Sequence, residues 1–425
     1  MSDHQAILRH LDTDYTRPVR DPIWKNIYLT PALEQVLRVP AFVRLGRIKQ
    51  LGMAYQVYPG ATHTRLAHSL GVFHLAKKII AALLKSPECP PLTLQGVKAF
   101  LSAALFHDLG HFPYAHVLED GLAVKNHEEL TGDHILNSDL RDILEKDVNT
   151  DPVLTAAIVN HSLDFPSDDS ELKFYRRLLS GVLDPDKLDY LNRDAFFCGI
   201  PYGTQDTDFI LSQIKPHREK GICLESKGIM AVESLLFSKY LMYKSVYWHK
   251  GVRSPSGIVK KALHLGLAQG VIHPEDLYKE DDQSLSQKLG SMDFQPFQQI
   301  IKAQTPGNFR TIYEEPYDEH SLFSTRLKTL EDRHLLEEEI RLRIQKETGK
   351  SLRTEEITID IPHSVSFEVD LPIAFKNQYL SFMEAGTVFD KTVVQGFTTH
   401  LKKLRLIGPG YLEGVLRDPG RLLRS

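Results

Sequence analysis

The sequence predicts a mainly α protein with a small α+β appendage at its C-terminal end. Apolar residues recur at the spacing of helix faces through most of the first 320 residues, for example at Leu33, Val36 and Leu37. Beyond that point, a strongly charged segment precedes two short segments that alternate between polar and apolar residues. With 425 residues, of which 42% are hydrophobic and 25% charged, the chain is long enough for one large core and a smaller second unit.

The first part of the chain is predicted to be an extended arm followed by helices. Residues 1–24 are polar and are expected to be extended. Thr30 and Pro31 match the N-cap and first turn of a helix. Pro40 is expected to end that helix, because proline disfavours the helical conformation in the residue before it. Later helices are predicted at residues 42–51, 65–84, 95–108, 128–136, 153–159, 172–179, 186–197 and 231–247.

The remaining elements divide the chain into two predicted units. Residues 1–320 form the helical core with its N-terminal arm, and residues 221–230 within it are predicted to be a short hairpin. Residues 321–425 form the small α+β region. It is expected to contain a helix at 327–346 and strands at 356–361 and 364–369, joined by a turn at Pro362.

Net charge and cysteine content indicate the cellular compartment and the classes of partner to expect. The net charge of −4 provides no basic field over the whole chain, so nucleic acid is not an expected partner. Three dispersed cysteines, without a C-x-x-C pair, are too few for a disulfide framework and fit a reducing cytoplasm. The N-terminus lacks the apolar segment of a signal peptide, and no stretch approaches the roughly 20 apolar residues of a membrane span. We expect a cytoplasmic protein without a membrane partner.

Three motifs concentrate imidazole and carboxylate groups. Adjacent His107 and Asp108 suit an ion held at the end of a helix, and His68 and Asp186 would close the site from two other helices. This donor set fits a divalent metal ion such as Mn, Mg, Fe, Ni or Zn. The motifs are Thr64-Arg-Leu-Ala-His-Ser-Leu-Gly, Phe106-His-Asp-Leu-Gly-His-Phe-Pro-Tyr-Ala-His and Asp184-Pro-Asp-Lys-Leu-Asp-Tyr-Leu-Asn-Arg-Asp.

The order and neighbours of these motifs resemble HD-domain deoxynucleoside triphosphate (dNTP) triphosphohydrolases over about residues 20–260. The resemblance is carried by the H…HD…D order, by Arg65 three residues before His68, and by Ile48-Lys-Gln-Leu-Gly and Asp186-Lys-x-x-Tyr. It implies an HD-domain helical bundle with His68, His107, Asp108 and Asp186 as metal ligands. It also implies an enzyme that cleaves dNTPs to deoxynucleoside and triphosphate by water attack at the α-phosphorus, and a homo-oligomer such as a dimer or tetramer.

The resemblance also implies groups that act on the phosphates. Arg65 lies one helical turn before His68, so both can face one pocket, and Arg suits a bidentate phosphate contact. Lys187 follows Asp186 directly, and Lys239 stands where the vertebrate enzyme has a phosphate-binding Arg. The leaving 5′-oxygen needs a proton, and histidine suits proton transfer near neutral pH. Candidate acid, relay or orienting groups are His111, His116, His127 and Glu128.

Recognition of the deoxyribose is assigned by the same resemblance. Gln50 and Leu51 resemble the pair that contacts the 3′-hydroxyl and crowds the 2′ position, where a ribose hydroxyl would clash or be buried unpaired. Tyr190 resembles the residue under the sugar, and Asp194 lies one turn further along the same helix. Tyr247 resembles the aromatic residue near the base.

Two other functions remain open from the sequence. The chain could be an HD phosphohydrolase of another phosphoester, such as a nucleotide monophosphate or cyclic dinucleotide, with extra histidines around His107 holding a second metal. It could also be a nucleotide-sensing protein without turnover. The sequence does not fix the metal, the preferred base, the number of metals or a requirement for an activating nucleotide.

Overall fold

A computed structural model of the chain is 57% helical with small sheets, which confirms the mainly helical prediction. It describes residues 3–114, 125–166, 169–363, 365–367, 369–376 and 378–424. The helices are α1 (Asp3–Thr13), α2 (Pro31–Val36), α3 (Pro40–Leu45), α4 (Arg65–Leu83), α5 (Leu94–Phe106), α6 (His127–Asn137), α7 (Asp139–Asp142), α8 (Pro152–Val159), α9 (Ser170–Leu179), α10 (Pro185–Cys198), α11 (Thr207–Gln213), α12 (Ile229–Met242), α13 (Lys250–Ala268), α14 (Asp282–Gly290), α15 (Phe297–Ala303), α16 (Leu330–Thr348), α17 (Lys391–Leu401) and α18 (Pro419–Arg424).

The strands form three small sheets. The strands are β1 (Arg17–Asp21), β2 (Lys25–Leu29), β3 (Ile214–His217), β4 (Gly221–Glu225), β5 (Phe309–Pro316), β6 (Thr358–Asp360), β7 (Pro372–Phe375), β8 (Gln378–Ser381) and β9 (Lys403–Pro409). Strands β1 and β2 pair as a hairpin, and the other sheets have the orders β3-β4-β7-β8 and β5-β9-β6. The pairs β4·β7 and β5·β9 join segments on both sides of residue 320. The division into two units at that residue stays a prediction.

Helix α4 is the central element of the core and of the site. Leu70, Val72, Phe73 and Leu75 are all buried, since α4 packs between α5 and α10. Among the described residues, α4 is the one helix long and apolar enough to cross a membrane, but 61% of its apolar window is buried inside the protein. Its composition is therefore that of a buried core helix. The start of α4, the end of α5 and the start of α10 meet beside the site described below.

The predictions for residues 1–51 were partly wrong. Residues 1–24 are not an extended arm: they contain α1, whose Ile7 and Leu11 are buried at helical spacing, and the strand β1. Thr30 does cap α2, but that helix ends at Val36, and Pro40 begins α3 instead of ending α2. Proline fits the first turn of a helix because its missing N–H has no partner there. The predicted helix at 42–51 ends at Leu45, since the chain then turns to bridge Lys49 to Thr64.

Two predicted strand arrangements were also wrong. Residues 221–225 form one strand, β4, whose hairpin partner is the preceding strand β3, and residues 226–228 form a helical turn. The short β3 contains Pro216, which hid it from the pattern. The strand predicted at 356–361 exists as β6, but it pairs with β9. The described residues 365–367 form no strand; Val365 and Ser366 line the pocket, and Lys239 donates to the Ser366 carbonyl.

Candidate metal centre and adjoining pocket

Three helix ends bring the predicted metal ligands together. His68 lies in the first turn of α4, whose start is fixed by Thr64, which caps the helix through its hydroxyl. His107 is the C-terminal cap of α5, and Asp186 lies in the first turn of α10, which begins with the N-cap Asp184 and Pro185. Each ligand therefore stands on a rigid helix end, which keeps its position defined without the ion.

The ligand atoms of His68, His107 and Asp186 all lie within 4.8 Å of one another. The Oδ1 atom of Asp186 is 2.9 Å from His68 Nε2 and 3.9 Å from His107 Nε2. Two imidazole nitrogens and a carboxylate oxygen at these separations can share one divalent cation. The structure therefore brings three of the four predicted ligands into one cluster.

The hydrogen bonds of His107 test whether this cluster fits a metal. His107 Nδ1 donates to the carbonyl of Ala104 at 3.0 Å, which leaves Nε2 as the nitrogen with a lone pair. Within the described part of the chain, this Nε2 is buried and has no hydrogen-bond partner. A buried polar atom without a partner costs free energy, and a bound cation would satisfy it. The residues present fit a metal ion.

Asp108 lies beside this cluster and faces Arg65. One of its oxygens accepts from Arg65 Nη1 at 2.6 Å and is 4.0 Å from His68 Nε2, and the other is 3.5 Å from His107 Nε2. Burial alone would raise the pKa of Asp108, but the Arg65 guanidinium and nearby histidines hold it well below its usual range. Asp108 is therefore an ionised carboxylate next to the cluster, and its role as a fourth ligand stays a prediction.

Excess negative charge surrounds His68. Burial alone would lower its pKa, but the carboxylates of Asp186 and Asp189 outweigh burial and raise the pKa to about 10. His68 Nδ1 donates to Asp189 Oδ2 at 2.8 Å, so its Nε2 can face a cation. The sequence analysis missed Asp189, although its position three residues after Asp186 puts both on one face of α10.

The predicted phosphate-binding cations are held in different ways. Arg65 is buried, and its Nε and Nη2 have no hydrogen-bond partner among the described residues. Lys187 Nζ donates to Asp184 at 2.6 Å and to the Gly181 carbonyl at 2.9 Å. Lys239 Nζ donates to the carbonyl of Ser366 at 2.7 Å. All three cations line the same pocket, but Arg65 alone of the three presents unsatisfied buried donors.

Two of the predicted proton-transfer histidines stack against each other. The rings of His111 and His127 are 5.0 Å apart and nearly parallel, at 27°. His111 Nδ1 accepts the backbone N–H of Phe112 at 2.9 Å, so the proton of its neutral ring lies on Nε2. Both histidines and Glu128 line the pocket. His116 lies outside the described residues, so its position is not part of this geometry.

The predicted sugar-binding residues line the same pocket as the metal cluster. Gln50 Oε1 is buried without a hydrogen-bond partner among the described residues, and Gly52 with a φ of 50° turns the chain just after Leu51. Asp194 accepts from the hydroxyl of Tyr247 at 2.6 Å and pairs with His63 Nε2 at 2.8 Å. The sequence analysis missed the role of His63 in orienting this carboxylate.

Aromatic rings and a C-terminal segment complete the pocket, whose volume is about 720 Å³. Tyr190 and Tyr247 contact edge to face at 6.2 Å between ring centroids. Tyr243 and Tyr247 lie on a widened helical turn, Tyr243–Tyr247, that continues α12. Pro362, His363, Val365 and Ser366, here named the wall segment, come from the predicted appendage. The sequence analysis missed this contribution, because no local pattern relates it to the motifs.

Comparison with known families and structures shows what this chain and its fold are similar to. Residues 206–389 match the family described as "HD associated region". A hypothetical protein from Aquifex aeolicus superposes with a TM-score of 0.72 at 25% identity, covering 95% of this chain and 99% of that one. A phosphohydrolase from Bacteroides thetaiotaomicron gives 0.71 at 24% identity, covering 93% and 100%. Residues 206–389 are therefore similar to an HD-associated region, and the chain shares its mainly helical fold with both of these structures.

The chain is also similar in sequence to individual proteins over part of its length. Over 253 residues, the chain is 35% identical to the uncharacterized protein YwfO of Bacillus subtilis, covering 58% of this chain and 54% of that protein. Over 271 residues, it is 30% identical to the human deoxynucleoside triphosphate triphosphohydrolase SAMHD1, covering 57% of this chain and 43% of that protein. The chain spans about half the length of the curated relatives it matches.

Proposed function

We propose that this chain is an HD-type phosphohydrolase that cleaves dNTPs to deoxynucleoside and triphosphate. The observation that carries the proposal is the cluster of His68, His107 and Asp186, with a partnerless nitrogen on His107, in a pocket that also contains the unsatisfied donors of Arg65. Similarity to a human enzyme named for this reaction supports the choice of substrate. A cytoplasmic location and a homo-oligomer stay predictions of the sequence.

His68, His107 and Asp186 would hold one divalent ion, with Asp108 as the fourth proposed ligand. When bound, such an ion polarises a phosphate oxygen and makes water a better nucleophile. Asp108 also keeps Arg65 beside the site through their 2.6 Å contact. The chain thus supplies both the ligands and a cation next to them for a polyanionic substrate.

Arg65 is the main phosphate-binding group in this proposal. Its Nη1 is held by Asp108, so its Nε and Nη2 can bind phosphate oxygens without reorganisation of the side chain. Lys187 adds positive charge near Asp186 but must share its donors with Asp184 and Gly181. Lys239 lines the same pocket and donates to the Ser366 carbonyl of the wall segment.

The leaving 5′-oxygen of the deoxynucleoside must gain a proton. His111 carries its proton on Nε2, and His127 stacks against it, so the pair can move a proton within the pocket. Glu128, next to His127 and in the same pocket, is proposed to orient one of these rings. From the family resemblance, His116 is proposed as a further acid or relay group for the same step.

Selection of a deoxyribose is assigned to Gln50, Leu51 and neighbouring residues of the same pocket. Gln50 Oε1 needs a donor, which the 3′-hydroxyl of the sugar would provide. Leu51 would leave no room for a 2′-hydroxyl, and Tyr190 would pack under the sugar ring. Asp194, already oriented by His63 and Tyr247, has remaining lone pairs for the same hydroxyl.

The test is hydrolysis of each dNTP by the purified full chain with Mn²⁺ or Mg²⁺, in water enriched in ¹⁸O. We expect deoxynucleoside and triphosphate, with the ¹⁸O in triphosphate, because water attacks phosphorus and the 5′-oxygen leaves with the sugar. Replacement of the 2′-hydrogen by a hydroxyl, as in the matching ribonucleotides, should greatly slow the reaction. His107→Ala and Asp186→Ala should abolish turnover in folded protein. Release of phosphate or pyrophosphate without triphosphate would disprove the proposal.

A second candidate is hydrolysis of another nucleotide phosphoester with two metal ions. The stacked rings of His111 and His127 favour it, because they place further imidazoles in the same pocket as the cluster. Elemental analysis of the metal-loaded chain distinguishes this candidate from the dNTP triphosphohydrolase, since two ions per chain would favour the two-metal reaction. Tight dNTP binding without any product would instead indicate a nucleotide sensor.

A further inference from the structure

A line of buried charged groups leads away from the metal cluster. Asp189 Oδ2 accepts from His68 Nδ1 and from Arg193 Nε, both at 2.8 Å, and Arg193 Nη2 reaches Asp189 Oδ1 at 2.9 Å. Arg193 Nη1 then donates to Asp21 Oδ2 at 2.8 Å. Asp189 and Arg193 are fully buried, and Asp21 is 5% exposed. The forked contact of Arg193 fixes the plane of the carboxylate that holds His68.

The turn between β1 and β2 contacts these charged groups at the end away from the metal cluster. Asp21 Oδ1 accepts the backbone N–H groups of Ile23 and Trp24, both at 2.8 Å. The indole Nε1–H of Trp24 donates to Asp189 Oδ1. The same turn therefore reaches Asp189 by two routes, one through the Asp21–Arg193 pair and one through the indole directly.

Close packing of α4 on α10 leaves no room for a side chain at Gly71 beside these groups. Gly71, three residues after His68 on α4, faces Asp189, and a Cβ atom at Gly71 would lie 1.8 Å from Asp189 Oδ1. The same Cβ would lie 2.6 Å from Arg193 Nη2. The backbone of α4 thus approaches the charged groups as closely as a residue without a side chain permits.

The net charge of Asp189, Arg193 and Asp21 favours a positive charge at the His68 end, which the protonated ring or a bound metal ion would supply. Two carboxylates and one guanidinium sum to one excess negative charge, and a buried excess charge is costly unless it is paired. His68 connects that charge to the metal cluster, because its Nδ1–H faces Asp189 and its Nε2 faces Asp186. The carboxylate also keeps Nδ1 as a donor, so that Nε2 is the nitrogen that would bind a metal ion in place of its proton.

We propose that Asp189, Arg193 and Asp21 are positioning residues for the metal ligand His68, so that the β1–β2 turn is part of the metal centre. This rests on the metal site of the proposed function but not on its substrate. The turn lies more than 160 residues from Asp189 in sequence and joins the centre through side chains alone. Metal affinity then depends on residues that contact neither metal nor substrate.

The test is a titration of the metal-stripped full chain with Mn²⁺, with free Mn²⁺ measured by electron paramagnetic resonance. Asp189→Asn should weaken Mn²⁺ binding by about 10- to 100-fold, the usual loss when such a partner is removed. An asparagine amide must either donate to His68, which reverses the ring form, or face the donors Arg193 and Trp24. Glu337→Gln is the matched control, because it alters an equally buried ion pair, with Lys261, away from the cluster.

Trp24→Phe is a milder second variant, because it removes one donor to Asp189 and keeps every charge. It should weaken Mn²⁺ binding in the same direction but less. A purely structural role would lower the unfolding temperature of both variants and leave their Mn²⁺ affinity as in wild type, and that result overturns the inference. If the wild type binds Mn²⁺ but forms no triphosphate, the proposed function fails. The positioning role of Asp189, Arg193 and Asp21 is then still tested by the Mn²⁺ affinities of the two variants.

Discussion

At the scale of single residues, the site depends on groups whose hydrogen bonds are incomplete in the protein alone. His107 Nε2, Gln50 Oε1 and two donors of Arg65 are buried without partners among the described residues. Buried polar groups are normally paired, since each unpaired one costs about 1–3 kcal/mol. These groups converge on one pocket, so a ligand that satisfies them all gains at each contact.

Arg65→Lys tests the guanidinium directly. The lysine keeps the charge and can still contact Asp108, but it cannot supply the Nε and Nη2 donors in fixed geometry. We expect kcat/KM for a dNTP to fall by about 10- to 100-fold, since hydrogen bonds to charged groups contribute about 1.5–3 kcal/mol. Steady-state kinetics measure it, and the exposed Arg47→Lys is the control. A change below twofold would contradict a phosphate contact.

At the scale of elements, the long helices α4 and α16 were predicted from the sequence, whereas α13, which contains Pro255, was missed. The helix α4 was predicted to within one residue, because its run of apolar residues is a local signal. The motif order also indicated His68, His107 and Asp186 before any geometry was known. The pairing of β6 with β9 was missed, because strand partners far apart in sequence leave no local signal. The hairpin β1–β2 is local, but it was missed because most of its residues are polar or exposed and were interpreted as an extended arm.

The wall segment provides an element-scale prediction. Lys239 holds it by donating to the Ser366 carbonyl at 2.7 Å and lies 5.4 Å over the Phe367 ring. Lys239→Met removes both the hydrogen bond and the charge, so we expect a higher KM for dNTPs and faster amide exchange in residues 365–367. The control is Lys244→Met, which changes an exposed lysine on the adjacent helical turn. Unchanged exchange in 365–367 would show that Lys239 does not hold the segment.

His74, on α4 beside the hairpin, provides a prediction about pH. Its ring stacks on Trp24 at 5.9 Å, and burial, aided by Lys78 and Lys77, lowers its pKa to about 4. The unfolded chain therefore binds more protons between pH 6.5 and 4, so the free energy of unfolding falls as pH falls through that window. One pKa unit corresponds to about 1.4 kcal/mol, so this histidine can contribute about 3 kcal/mol at pH 4.

The measurement compares urea unfolding of wild type and His74→Phe at pH 7 and at pH 4.5, both without metal. The phenylalanine keeps the ring contact with Trp24 but binds no proton. Wild type should lose more stability than the variant over this interval, and His4→Gln, at an exposed position of α1, should behave as wild type. Equal losses in wild type and His74→Phe would mean that His74 is not the group that titrates.

At the scale of the whole molecule, the C-terminal region takes part in the core and in the pocket. Strand β9 lies between β5 and β6, and β7 extends the sheet that begins with β3 and β4. Asp360 on β6 pairs with Arg253 on α13 through both of its carboxylate oxygens, and the wall segment follows directly after it. We therefore expect residues 1–320 and 321–425 to unfold together, although the sequence alone separates them.

Leu406→Ala tests this coupling from a position remote from the metal cluster. Leu406 is fully buried on β9, and its truncation should cost about 2–5 kcal/mol. If the regions unfold together, Mn²⁺ raises the temperature of one single transition, and Leu406→Ala lowers that same transition. Leu342→Ala, at a 58% exposed position of α16, should leave it unchanged. Two transitions in calorimetry, with Mn²⁺ moving one and Leu406→Ala moving only the other, would show independent domains.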